Sequence, residues 1–323
     1  RQELLAEMPP FLGGGGMGGL IDGGGGGFDT LVLDGGTFDS VVYTAISASD
    51  GTIERDGDRL AYAGLEPIFD NASATDRVIR TSNLTDNARL TDGGAQLTLA
   101  SLDAIPTFES ITFAKPTNSL TINLGTDLGI PVVSDTDRLE IQALNLAADL
   151  IVNGEAGKDA VTITGNTSLS GNPLSINAES ITVDLGVAVT AVDINFNAFA
   201  SVGTLATPDA LPLADVAAAI NINGASLTGG NITLAATASL VSNVTNPLAS
   251  IPAATLVANV SAQIAVTGAA SITASGAFTA NAASNVNSTV LANAATAPVV
   301  GEVAIASPVI NTTARSRLAG NAT

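Results

Sequence analysis

The chain has 323 residues, with no cysteine, histidine or tryptophan, and a formal net charge of −19 from 30 acidic against 11 basic side chains. The missing cysteine excludes a disulfide scaffold, a thiolate nucleophile and a cysteine-ligated zinc or iron–sulfur site; the missing histidine removes the usual hydrolase triad and the commonest general base. A surface this acidic repels nucleic acid and anionic membranes and favours divalent cations.

The first twelve residues, RQELLAEMPPFL, have the composition of one or two helical turns ahead of Pro9 and Pro10. From Gly13 to Gly27, eleven of fifteen residues are glycine. That is linker composition, because glycine loses the most backbone entropy on ordering. Residues 1–27 are therefore expected to be a Gly-rich flexible arm, on a chain that is itself a piece of something longer. A phosphate loop in this run fails for want of a preceding strand and of a following G-K-[ST].

Past the glycines the period changes to two. TLVL (30–33), SVVY (40–43), SLTINL (119–124), RLEIQAL (138–144), AVTIT (160–164), SITVDL (180–185) and NITLAA (231–236) alternate or run apolar. Each is bounded by Gly, Asn, Asp or Pro, as strands are. In SLTINL, for example, Leu120, Ile122 and Leu124 share one face and Thr121 and Asn123 the other. The best helix candidate, ALPLADVAAAI (210–220), is short and flanked by strand-like text. No stretch approaches the ~18 uninterrupted apolar residues that span a bilayer.

Residues 191–323 carry only Asp193, Asp209, Asp215, Glu302, Arg315 and Arg317 as charges, and they repeat. The phrase INGASLTGGNITLAATASLVSNVT (222–245) resembles VTGAASITASGAFTANAASNVNST (266–289) at an offset of 44. The same offset sets Val266 against Ile310 and Gly276 against Gly320. A repeat of this length signals stacked supersecondary units, and it is the length of two β-helix coils of ~22 residues. The expected fold is all-β, a parallel β-helix (β-solenoid) of a dozen or so coils, which at ~4.8 Å per coil makes a rod of roughly 60 Å. Its acidic part spans 28–190 and its Ala/Ser/Thr/Asn-rich repeat region 191–323. The alternative is a string of tandem β-sandwich domains, with Asn153-Gly154 and Asn223-Gly224 as hairpin turns.

One nonapeptide, Gly24 to Val32, fits the pattern G-G-x-G-x-D-x-U-x, in which turn carbonyls and the Asp carboxylate offer hard oxygens to Ca²⁺ and the second half is a short strand. Degraded copies follow at 34–42 (DGGTFDSVV) and 154–162 (GEAGKDAVT). Asp29, Asp39 and Asp159 are thus candidate Ca²⁺ ligands; the other reading is of plain Gly/Asp turns between strands. The carboxylate pairs Asp56/Asp58 and Asp135/Asp137 have a spacing that suits acid–base work on a glycan, but only Arg138 stands near the second pair as a clamp. Lys115, beside Pro116, and Lys158, inside a turn motif, read as structural. Sequons at Asn71, Asn83, Asn231, Asn243 and Asn259 arise readily in Asn- and Thr-rich text.

The phrases GGFDTLVLDGG, ITFAKPTNSLTINLG and LIVNGEAGKDAVTITG resemble the giant, repetitive surface proteins of Gram-negative bacteria. GAASITASGAFTANAASNVNSTV is similar to their β-strand-repeat portions. The resemblance implies export, β-solenoid architecture, an adhesive or envelope-building role, and calcium where RTX-type turns persist. The expectation is an extracellular structural subunit, not an enzyme, that pairs with copies of itself in a filament, sheath or fibre. The alternative is an adhesin module that binds surface glycans.

Overall fold

A computed structural model of the chain describes residues 3–6, 19–24, 29–125, 136–155, 157–202, 213–246, 253–292, 305–319 and 321–322. All regular elements among them are strands, so no helix there is long and apolar enough to cross a membrane. The N-terminal part comprises β1 (Glu3–Ala6), β2 (Gly19–Asp22), β3 (Thr30–Leu33), β4 (Thr37–Ala45), β5 (Gly51–Arg55), β6 (Asp58–Ala63), β7 (Ile68–Asp70) and β8 (Ser73–Arg80). Then come β9 (Asn87–Asp92), β10 (Gln96–Ser101), β11 (Ile111–Ala114) and β12 (Ser119–Asn123).

From residue 138 the order becomes regular, and each turn of chain visits three sheets in the sequence I, III, II. The first such coil is β13 (Arg138–Ile141), β14 (Leu144–Asn145) and β15 (Asp149–Asn153). The second is β16 (Ala160–Ile163), β17 (Thr167–Ser168) and β18 (Leu174–Ala178), and the third β19 (Ser180–Val183), β20 (Ala188–Thr190) and β21 (Asp193–Val202). Longer coils follow: β22 (Leu213–Asn223), β23 (Ser226–Gly229), β24 (Asn231–Asn246); β25 (Ala253–Thr267), β26 (Ser271–Ala274), β27 (Phe278–Ala292); then β28 (Ile305–Leu318) and β29 (Asn321–Ala322). Sheet I collects twelve strands, sheet II eleven and sheet III six. Twelve strands at ~4.8 Å spacing make a stack of roughly 50 Å.

All pairs from β12 and β13 onward are parallel, as a β-solenoid requires. The N-terminal part departs from this. Strands β4, β5 and β6 form an antiparallel meander within sheet II, and β9, β10 and β11 another within sheet I. The β5–β6 turn is Asp56-Gly57, both at positive φ (50° and 89°), the two-residue turn whose twist matches an antiparallel pair. The two Asn-Gly sites that the sandwich alternative reads as hairpins are instead corners between sheets: the Gly154 amide donates to Asn177 O of the next coil, and that of Gly224 to Thr267 O. Within the expected flexible arm, β1 pairs with β3 and β2 with β6. Most of the glycine run, and residues 25–28 of the nonapeptide, lie outside the described residues.

Coil length is where the sequence reading needs correction. Leu139 faces Val161 and Val161 faces Ile181, giving coils of 22 and 20 residues. Ile181 faces Ile220, Ile222 faces Val266, and Val266 faces Leu318, giving 39, 44 and 52. The repeat of 44 is therefore one long coil and not two short ones. The third copy is out of step, with Ile310 opposite Ala258. The extra length goes into the strands of sheets II and I, which run out together from the corner between them and pack face to face. Inward side chains there are Ile232, Leu234, Ala236, Ala238 and Leu240 on β24, against Ala258, Val260, Ala262, Ile264 and Val266 on β25. Alanine is what a narrow two-sheet layer takes, since larger side chains would force the sheets apart. Residues 213–220 of the helix candidate at 210–220 lie in this layer within β22, and 210–212 lie outside the described residues. Val216, Ala218, Ile220 and Ile222 point inward at every second residue, and the ladders to β19 and β25 override alanine's helical preference.

Candidate functional site

Two sets of buried charge stand out. The first lies inside the N-terminal part, where Arg77 of β8 occupies an inward slot between Val41 of β4 and Leu120 of β12. A guanidinium there must be matched, because a buried, unpaired charge costs several kcal/mol. Asp70, at the end of β7 and fully buried, matches it. Its Oδ1 accepts from Arg55 Nη2 at 2.7 Å and from the Ala72 amide at 2.9 Å; its Oδ2 accepts from Arg77 Nη1 at 3.1 Å and from the Tyr43 hydroxyl. The four acceptor positions of the carboxylate are thus filled. Tyr43 in turn accepts from Arg77 Nη1 at 2.6 Å. Burial, followed by the nearby Asp70 charge, raises the Tyr43 hydroxyl well above its usual pKa, so it stays a donor. Arg77 also donates to Ala72 O and lies 5.5 Å from the Phe113 ring centre, while Arg55 lies 4.8 Å over Phe38. Every member bonds to another, which describes a structural strut.

The second set is a ladder at the corner where the chain leaves sheet II and enters sheet I. Asp86, Asp137, Asp159 and Glu179 immediately precede β9, β13, β16 and β19, and strand register stacks them one per coil. The amide of Asp86 donates to Asp137 Oδ1 at 2.7 Å, that of Asp137 to Asp159 Oδ1 at 3.3 Å, and that of Asp159 to Glu179 Oε2 at 2.8 Å. The carboxylates of Asp137, Asp159 and Glu179 so cap N–H groups that the sharp corner leaves without a strand partner. Ser82 Oγ adds a bond to Asp86 at 2.8 Å. Burial raises Asp86 and Glu179 above the ordinary carboxylate pKa despite these bonds. Gly154 is needed beside the ladder: a Cβ there would come within 2.7 Å of the Asp159 side chain.

The predicted calcium ligands are not gathered. Asp29 precedes β3, and its carbonyl accepts the Glu66 amide at 2.7 Å. Asp39 lies exposed on β4 in sheet II. Asp159 is part of the ladder, six strands along sheet I from β3. The turn-then-strand half of the motif does appear in both degraded copies, with Gly35 and Gly36 at positive φ before β4, and Glu155 and Gly157 before β16. Among the described residues, no three carboxylates converge as a metal-ion shell. Of the acid–base pairs, Asp56 caps the Ser40 amide at 2.8 Å, Asp137 belongs to the ladder, and Asp135 lies outside the described residues. Lys115 ties coils together through Asp92 at 2.8 Å and Asn145 O at 2.6 Å.

The sequence reading missed both charged sets, although one signal was present. Each ladder acid opens a strand phrase of the same form: DNARL (86–90), DRLEI (137–141), DAVTI (159–163) and ESITV (179–183). A further buried acid, Glu109, sits where the chain enters β11 near Glu66. Burial, reinforced by the Glu66 charge, pushes its carboxyl up to about 8. On the outside, a groove of about 570 Å³ crosses sheet III, lined by Asp92, Asn145, Asn166, Ser168 and Thr190. Comparison with family models, with curated proteins and with solved structures returned no match.

Two predictions test the buried charge. Asp70→Ala leaves two buried guanidiniums without their carboxylate and is expected to cost about 3–5 kcal/mol of unfolding free energy in a urea titration; a cost below about 1 kcal/mol would refute the strut. Glu109 is protonated in the fold up to pH about 8, whereas in the unfolded chain it ionises near the ordinary 4.5. Its raised pKa therefore favours the fold below the unfolded value, and this contribution falls as pH rises toward 8 and is level beyond. Melting temperature should drop between pH 5 and pH 8, and Glu109→Gln should flatten that slope.

Proposed function

We propose that the chain is an extracellular structural β-solenoid that associates with copies of itself in a surface filament, sheath or fibre, and that it performs no catalysis. The observation that carries this reading is the stack of parallel coils from β13 to β27, in which each coil hydrogen-bonds to the next on all three sheets. Outward amide ladders reinforce the stack: Asn153 donates to Asn123 at 2.8 Å, Asn177 to Asn153 at 3.0 Å and Asn197 to Asn177 at 3.3 Å. Extending such a rod means breaking many cooperative bonds at once, a mechanical property. Among the described residues, Arg55, Asp70, Arg77, Lys115, Asp137 and Asp159 are engaged in holding the coils together. Negative-stain images of the purified chain at rising concentration are expected to show rods that lengthen or bundle; single short particles at every concentration would sink the reading.

A second reading, a module that binds surface glycans, is favoured by the sheet III groove. Its amides and hydroxyls suit a polyhydroxylated chain, and its one carboxylate, Asp92, is held by Lys115 and by the Asn145 amide at 2.8 Å.

Calcium at Asp29, Asp39 and Asp159 is decided by melting the chain with and without chelator. Because these carboxylates lie apart, we expect no change in melting temperature, and a fall on chelation would restore the ion to the account.

A further inference from the structure

The outward faces of sheets I and II differ in charge. On sheet I, outward positions carry Arg89, Arg138, Glu140, Asp215 and Arg315, with Arg89 and Glu140 paired at 2.7 Å. On sheet II, two outward columns run across six strands with no charge in either, and the only charges on these strands are Asp149 and Asp193 at the starts of β15 and β21. One is Thr121, Ile151, Ser175, Asn195, Thr233, Thr279; the other is Asn123, Asn153, Asn177, Asn197, Ala235, Asn281. The long strands widen this face with Phe199 and Ser201 on β21, Thr237, Ser239 and Val241 on β24, and Ala283, Asn285 and Asn287 on β27. Phe199 is 47% exposed and Val241 46% exposed, so two large apolar side chains stand out from an otherwise small, flat, polar surface.

We propose that this face of sheet II, from β12 to β27, is where a second copy of the chain docks, sheet face against sheet face. The proposal rests on the self-association reading above and names its surface. Charge argues for it: on a chain with 30 acidic residues and a net charge of −19, apposing two copies through these neutral columns leaves only Asp149 and Asp193, at the starts of their strands, as like charges on the six strands. Through sheet I the same operation would bury several ions. Size argues for it as well. Six strands at ~4.8 Å, with ~3.3 Å per residue along the three long ones, present on the order of 700 Å² per copy, near the ~800 Å² per partner of stable interfaces. Sheets stack face to face at ~10 Å when outward side chains are small, as Thr, Ser, Asn and Ala are here. Phe199 and Val241 are then the anchors, and the neutral amides and hydroxyls satisfy one another across the seam.

The test uses sedimentation velocity over a concentration series. Three proteins are compared: the unaltered chain, Asn197→Lys/Ser239→Lys on sheet II, and Ala217→Lys/Ser261→Lys on sheet I as a control with the same added charge. A melting curve on each establishes that it is folded. The unaltered chain and the control should assemble alike, and the sheet II variant should need at least about tenfold more protein, since like charges across an interface cost a kcal/mol or more. Phe199→Ser, a single exposed change, should shift assembly in the same direction. Assembly of the sheet II variants at the unaltered concentration would overturn the face while leaving self-association standing. A single monomeric species of the unaltered chain throughout would overturn both.

Discussion

The corner between sheets II and I governs this structure. A chain that turns sharply between two sheets leaves backbone N–H groups pointing into the interior, where water does not reach them, and a buried unsatisfied donor costs about 1–3 kcal/mol. Four successive coils place an acid just before the strand, and in three of them its carboxylate takes the N–H of the equivalent acid one coil back. Stacked carboxylates repel, and burial makes that worse. Charge-assisted bonds to aligned amides offset the cost, because a carboxylate accepting backbone N–H groups is in the geometry that stabilises its charge. One position further along the stack, the register sets Ala218 opposite Glu179. With no carboxylate to hold the turn, the backbone runs straight through as β22, and the Ala219 amide bonds to Glu179 O as a strand would. The corner opens, and the coil goes from 20 residues to 39. Coil length is therefore set by the residue at the corner more than by the strands themselves.

What fills the coils follows from that choice. Where the corner is closed, the interior is a prism that takes Leu, Ile and Val. Toward the N-terminus, beside the antiparallel meanders, it is wide enough for Tyr43, Phe108, Phe113 and the whole of Arg77. Where the corner is open, the two sheets face each other across a thin gap, and Ala236, Ala238, Ala258 and Ala262 set its width. The alanine content of the repeat region is thus a packing consequence, as is the poverty of aromatics there. The residues that look least informative in the sequence specify the narrowest part of the fold.

Strand existence was legible, because alternation over SLTINL, AVTIT or SITVDL has no helical counterpart and the parallel solenoid follows from repeats of such text. Coil length was not: a 44-residue period reads equally as one coil or two, and only the corner residues distinguish them. ALPLADVAAAI misleads because alanine favours a helix locally, and the ladders that overrule it come from residues 44 positions away. Asp56-Gly57 carried the hairpin signal that Asn153-Gly154 and Asn223-Gly224 lack in practice, since only the first joins two strands that can pair directly. Arg77 was hidden by its own charge. It sits two residues before Ile79 on the same face, but a basic residue in an alternating strand reads as outward until its partners Asp70 and Tyr43, 7 and 34 residues away, are seen. The ladder acids were hidden by uneven spacing, since insertions between coils separate residues that stacking brings together.

The formal charge of the chain needs reinterpretation in this light. Some of the acidic residues that give −19 are interior and carry raised pKa values, and Glu109 at about 8 contributes little negative charge at neutral pH. Asp70 is cancelled on the spot by two guanidiniums. What solvent sees is less acidic than the count suggests, and it is also polarised, with most surface charge on the N-terminal coils and almost none beyond β21. Repulsion between copies falls off within a Debye length of ~8 Å at physiological salt. A neutral C-terminal half about 20 Å or more along the axis, at ~4.8 Å per coil, is then electrostatically remote from the acidic end. Under the proposed self-association, a solenoid built this way repels its copies at one end and meets them along the other.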